Sequence, residues 1–200
     1  MITGSNSGIG LCLYNILLHN NIRTVGLTRQ QLDLSNLQAV TNFDLERTDL
    51  LINCAATDIG GKIDFINHRP NNITEIACVN LLSPILLCQK ALRKNKDCKI
   101  VNITSTNNRR YWPNDLIYSL TKKSLSDFGM MLQIEYGNLN YLEVQLGLTK
   151  TNFNANRYKL DSDRYKDLYA DSKHLTPEYV ADTIFKAISD NNIKFLEISP

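Results

Sequence analysis

The sequence has almost no charge imbalance: 22 basic and 20 acidic residues leave a net charge of +2, and the two signs are interspersed along all 200 residues. A basic stripe is lacking, and with it the electrostatic case for nucleic acid or an anionic membrane surface as a partner. No unbroken apolar run reaches the ~20 residues that span a bilayer, and no charged-then-apolar leader precedes the first motif. The expected location is the cytoplasm. The five cysteines (Cys12, Cys54, Cys78, Cys88, Cys98) contain no Cys-x-x-Cys pair and are odd in number. In apolar segments a free cysteine behaves as a small hydrophobe, so no disulfide framework or thiolate zinc site is expected. His19, His68 and His174 stand apart without ligand spacing, which argues against a metal. Linkers, low-complexity tracts and internal repeats are also missing, so residues 1–200 read as a single domain.

What is present is an alternation of apolar strands and amphipathic helices from end to end. "DLLINCAA" is a continuous apolar run, the mark of a strand buried on both faces, and "KIVNITS" is another buried strand. "MI", "IRTVGLTR", "YLEVQLGL" and "KFLEIS" supply the other strands. Helices are expected from Ile9, over residues 37–45 with Ser35 as the N-cap, and over 75–92, 115–136 and 177–189. Strands alternating with long helices imply right-handed crossovers, hence an α/β, three-layer, doubly wound fold with a mostly or wholly parallel sheet. The irregular polar stretch at 152–174 is expected to be a substrate loop or lid.

Three glycines in "MITGSNSGIG" (Gly4, Gly8, Gly10) lie between a strand stub and a helix. That spacing suits a dinucleotide pyrophosphate, because backbone N–H groups and the positive helix end face the turn. A purely structural turn uses the same residues. Downstream, Tyr118 and Lys122 in "YSLTK" share one helix face, and Ser105 closes the "KIVNITS" strand thirteen residues before Tyr118. Asn80 interrupts an otherwise apolar helix at "ACVNLLSP", with Pro84 four residues on and unable to donate to its carbonyl.

In this order, these residues resemble the short-chain dehydrogenase/reductase family over the whole chain. "TGSNSGIG" is similar to the family's TGxxxGIG turn, "NCAA" to its NNAG motif, and "YSLTK" to YxxxK. "LGLTKT" is similar to PGxxxT, with Leu146 in place of proline. The resemblance implies a Rossmann fold and NAD(P) as cofactor. It implies cofactor contacts from Gly4, Ser5, Asn6, Ser7, Gly8, Ile9 and Gly10, from Asn53, Cys54 and Ala55, and from Gly147, Thr149 and Thr151. It also implies that Asp33 and Leu34 contact the adenine and that Lys122 holds the nicotinamide ribose. The Asn80 carbonyl would hold a water that relays protons through the lysine.

The chemistry can be argued from the residues themselves. Reduction of a carbonyl by hydride needs a positioned acid for the developing alkoxide. A free phenol titrates near ~10. An ammonium ~4 Å away in a partly buried site favours the phenolate by about 4 kcal/mol, so Lys122 is expected to bring Tyr118 towards neutral pH. Tyr118 is then the general acid/base, and Ser105 a donor to the substrate oxygen.

Thr28 stands where NAD-binding proteins carry an acid, and Arg29 follows it, a guanidinium suited to a 2′-phosphate. NADP(H) is therefore expected over NAD(H). Arg109, Arg110, Tyr111 and Trp112 either bind an anionic or aromatic substrate or form a solvated rim. The expected function is NADP(H)-dependent interconversion of a small-molecule carbonyl and alcohol, by a homodimer or homotetramer assembled through the helices at 75–92 and 115–136. The alternatives are a sugar-nucleotide reductase similar to dTDP-4-dehydrorhamnose reductase and, from another class, a cofactor-binding sensor without turnover. The short C-terminal portion weighs against the first, and retention of Ser105, Tyr118 and Lys122 against the second.

Overall fold

Six parallel strands form one sheet in the order β2-β1-β3-β4-β5-β6 in a computed structural model that describes residues 1–109, 112–158, 162–170 and 172–200. In chain order the elements are β1 (Ile2–Thr3), α1 (Gly8–His19), β2 (Gly26–Leu27), α2 (Leu37–Asn42) and β3 (Leu50–Asn53). A long helical run follows, made of α3 (Pro70–Ala77), a π turn (Cys78–Leu82) and α4 (Ser83–Lys94). Then come β4 (Lys99–Ser105), α5 (Leu116–Glu135), β5 (Tyr141–Leu146), α6 (Asn152–Arg157), α7 (Ser162–Ala170), α8 (Pro177–Ile188) and β6 (Phe195–Ile198).

The central strands alternate sides, as period-two geometry requires. Ile2, Ile52, Val101, Leu142 and Val144 face a core shared with Leu13 and Leu17 of α1 and Val180, Ala181 and Ile184 of α8. Leu51, Ile100 and Tyr141 face the opposite core, with Val40 of α2 and Leu87, Cys88 and Ala91 of α4. Both faces are covered, so every residue of β4, polar ones included, is buried, as are Leu51, Ile52 and Asn53 of β3. This is the doubly wound α/β architecture that the sequence predicts. The chain leaves β1 for β2 on one side and returns to β3 on the other. Ligands in such sheets bind beyond the strand ends at that reversal.

Some local expectations are corrected. β2 is limited to Gly26–Leu27 because its partner β1 offers only Ile2 and Thr3 to pair with. The N-cap of α2 is Asn36, whose Oδ1 accepts from the Ala39 N–H at 3.0 Å, whereas the Ser35 hydroxyl donates to Asp33 Oδ1 at 2.6 Å. That helix ends at Asn42 rather than Leu45. The helical run starts at Pro70, earlier than expected, since proline suits a first turn. Its 25 residues, Pro70–Lys94, are long and apolar enough on composition alone to cross a bilayer, although polar residues interrupt them. Here their buried side packs on the sheet through Leu87, Cys88 and Ala91.

Candidate active site

The chain turns sharply as it leaves β1. Gly4 (φ +72°) and Gly8 (φ +50°) hold left-handed backbone that favours glycine. A Cβ on Gly4 would sit 3.0 Å from Ala55 Cα, and one on Gly10 would collide with the Gly4 carbonyl. Thr3 fixes the turn from below, its Oγ1 accepting from the N–H groups of Cys54 and Ala55, each at 3.1 Å. No side chain caps the first turn of α1, and Gly8, Ile9 and Gly10, which carry its N–H groups, line a cavity of about 410 Å³. Gly10→Ala is expected to cost about 1–3 kcal/mol of stability through overpacking, measured by urea unfolding; an unchanged midpoint would mean that the turn yields.

That cavity runs from the glycine turn to Tyr118. Asn6 and Ser7 line it beside the glycines, and Thr28, Arg29, Asp33 and Leu34 line the end beyond β2. Cys54 and Ala55 wall it at the end of β3, and Gly147, Thr149 and Thr151 after β5. Ser105, Tyr118 and Lys122 close the far end. Three expected site residues are not on its wall. Ser5 is buried against Gly26, where a Cβ would meet Ser5 Oγ at 2.6 Å. Asn53 points under the sheet, its Nδ2 donating to Asn102 Oδ1 at 2.9 Å.

Asn80 is the third. It is wholly buried, its Oδ1 accepting from the Thr57 N–H and its Nδ2 donating to the Thr57 carbonyl, both at 2.8 Å. Its Nδ2 also donates to Thr121 Oγ1 at 3.2 Å, so one side chain ties the loop after β3 to α5. Pro84 gives the Asn80 carbonyl no N–H, and the chain passes here through the π turn, closed by the Ser83 N–H on the Cys78 carbonyl.

Tyr118 and Lys122 are both buried on α5. The Lys122 ammonium donates to the Ile103 carbonyl at 2.8 Å and lies 6.0 Å from the centre of the Tyr118 ring. Burial pulls the lysine down to about 8, with the Cys54 thiol opposing. Burial also pushes the Tyr118 phenol up to about 12, which the Arg157 guanidinium opposes. Lys122 therefore does not bring the phenol towards neutrality here, as the spacing alone suggests. The cation over the ring is Arg157, 4.7 Å from its centre.

Sequence reasoning missed Arg157 and its partners. Its side chain, 7% exposed, bonds Asp58 through Nε and Asp115 through Nη2. Phe153, also on α6, sits 5.4 Å from the Tyr118 ring centre. Within the stretch 152–174 that reads as irregular, the described residues include two helices, Asn152–Arg157 and Ser162–Ala170, the first of them packed over Tyr118. Arg110 and Tyr111 lie outside the described residues. Arg109 and Trp112 are exposed, Arg109 with its guanidinium 5.1 Å from the Phe195 ring centre and Trp112 with the Lys62 ammonium 5.9 Å from its own. Among the described residues no cluster of His, Cys, Asp and Glu could hold a metal.

The family profile described as short chain dehydrogenase matches residues 34–161. The chain belongs to that family. Among curated relatives, an NADP-dependent 3-hydroxy acid dehydrogenase of Schizosaccharomyces pombe is 26% identical over 171 residues, covering 80% of this chain and 65% of that protein. The chain thus spans just under two thirds of that relative's length. The short chain dehydrogenase helC of Aspergillus fumigatus is 21% identical over 96% of this chain and 91% of its own length. Of solved structures, serine dehydrogenase complexed with NADP+ superposes with a TM-score of 0.82 at 19% identity, over 99% of this chain and 94% of that one. 4-Hydroxyisoleucine dehydrogenase complexed with NADH gives 0.84 at 22% identity, over 99% and 96%. At these identities the structural likeness speaks for the fold.

Proposed function

We propose that this short-chain dehydrogenase interconverts a carbonyl and an alcohol on a small molecule, using NADP(H). The observation that carries the reading is one continuous cavity joining the glycine turn to Ser105, Tyr118 and Lys122. A nicotinamide dinucleotide fits that donor set: backbone N–H groups for the pyrophosphate at one end, and an ammonium for ribose hydroxyls at the other. Gly4, Gly8 and Gly10 line the cavity and put no side chain into it. Bound there, the cofactor would supply or accept the hydride. Tyr118 moves the proton at the substrate oxygen, and Ser105 donates to that oxygen as charge develops. The Asn80 carbonyl is the acceptor for a water leading to Lys122. An assay of NADPH consumption over 3-hydroxy acid, amino-acid and simple carbonyl precursors tests the reading. Tight NADPH binding without turnover on any of them would favour the sensor instead.

NADP(H) is preferred on the strength of Arg29. Its side chain is 66% exposed at the end of the cavity beyond β2, paired with Asp33 at 3.4 Å and Glu75 at 3.3 Å. It can exchange those exposed, weakly stabilising pairs for a 2′-phosphate. Arg29→Glu is expected to weaken NADPH binding by roughly 10–100-fold with little effect on NADH, from the loss of a charge-assisted contact. Equal affinities before and after would remove Arg29 from the account.

Assembly as a homodimer or homotetramer is supported by an apolar outer face on α5, where Leu116, Leu120, Met131 and Ile134 are exposed. Light scattering reads it directly.

A further inference from the structure

We propose that Arg157 is a positioning residue for Tyr118: reaching in from the end of α6, its guanidinium is clamped over the phenol ring by Asp58 and Asp115, where it favours the ionised oxygen. This rests on the reading of Tyr118 as the acid/base.

The clamp is built from three separate stretches of chain. Arg157 ends α6, Asp115 caps the start of α5, and Asp58 lies on the loop after β3. The two carboxylates are 99 and 42 residues from the arginine in sequence, yet each bonds a different nitrogen of its fork. Asp115 is held from its other side by Asn107 Nδ2 at 2.5 Å and by the Lys62 ammonium at 3.6 Å. The loop that carries Asp58 and Lys62 turns through Gly60 (φ +92°), which faces Asn72, and Gly61 (φ +72°), which abuts the end of α6. A Cβ at Gly61 would collide with the Arg157 carbonyl, so the loop and the arginine are fitted to each other.

Arg157 faces Tyr118 from α6, 4.7 Å from the ring centre. From the loop after β3 and from the cap of α5 come Asp58 and Asp115, both acting against ionisation. From α5 itself comes Lys122, 6.0 Å from the ring centre, with the Cys54 thiol beside it at the end of β3. Ser105, on β4, adds a hydrogen bond that favours the phenolate. Burial opposes it most strongly, and Arg157 is the largest influence the other way.

Opposite charges predict opposite responses. An opposite charge within ~4–6 Å shifts a titration by about 1–3 pH units, and removing a like charge acts in reverse. The test follows the Tyr118 ring by NMR in full-length protein carrying ¹³Cζ-tyrosine, with Tyr118→Phe assigning the signal. Arg157→Gln is expected to move the titration alkaline, or beyond the onset of alkaline unfolding. Asp115→Asn should move it to lower pH by about one unit or more, and Arg157→Lys should leave it close to wild type. Circular dichroism at neutral pH checks the fold, and where Arg157→Gln does not fold, Asp115→Asn and Arg157→Lys decide. A merely structural role predicts the same titration in every folded variant, and that result, or shifts of Arg157→Gln and Asp115→Asn in one direction, overturns the proposal. Turnover of Tyr118→Phe on the carbonyl panel is scored separately, so retained turnover rejects the catalytic reading whatever the titration shows.

Discussion

Replacing Tyr118 by phenylalanine is expected to lower carbonyl reduction by about 10²–10⁴-fold while leaving NADPH affinity unchanged, because a positioned acid contributes that much and the ring itself stays in place. The ring is packed 5.4 Å from Phe153 and 4.7 Å from the Arg157 guanidinium, and neither contact uses the hydroxyl. Only the proton at the substrate oxygen is lost. Stopped turnover with intact cofactor binding separates this outcome from damage to the fold, which would lower both together. Fluorescence titration with NADPH and a parallel rate measurement read the two quantities. Retained turnover would remove Tyr118 from the chemistry.

Lys122→Met is expected to do two opposite things: abolish turnover and stabilise the fold. The buried ammonium has its titration pulled down to about 8, against 10.5 for the free side chain. Between those values the unfolded chain holds the proton more tightly than the folded one. Stability therefore rises as pH increases from about 8 to 10.5, and below about 8 the full cost of the buried charge is present. That cost is about 3 kcal/mol, part of which the hydrogen bond to the Ile103 carbonyl offsets. A methionine should recover about 1–3 kcal/mol at neutral pH, roughly 2–10 °C in Tm for a domain of this size, and flatten the alkaline rise. A lower Tm at pH 7 would show that the ammonium stabilises the free protein after all.

The parts of the site legible in the sequence are those set by local spacing. Gly4 and Gly8 announce a turn through left-handed backbone that favours glycine, and Gly10 through its close approach to the Gly4 carbonyl. Tyr118 and Lys122 sit four apart on one helix, and Ser105 ends a strand buried on both faces. Each of those facts is written within a dozen residues. The Arg157 clamp is not, since its carboxylates come from two distant stretches and have no periodicity to betray them. Residues 152–157 are polar enough to read as loop, and only packing over Tyr118 makes a helix of them. The NNAG-like motif also misleads in part. Cys54 and Ala55 line the cavity, whereas Asn53 turns beneath the sheet to Asn102, because successive strand residues point to opposite faces. Asn80 was legible as a polar break in an apolar helix, but the backbone it holds at Thr57 has no signature in sequence.

Transfer of label tests the central claim most directly. NADPH carrying deuterium at nicotinamide C4 is incubated with the protein and the carbonyl panel, and the products are examined by mass spectrometry. The account predicts deuterium on the carbinol carbon of a product, formed together with an equal amount of NADP+, and neither with Tyr118→Phe. NADPH held tightly in the cavity, with no deuterium reaching any product, would contradict it and leave a cofactor-binding protein without turnover.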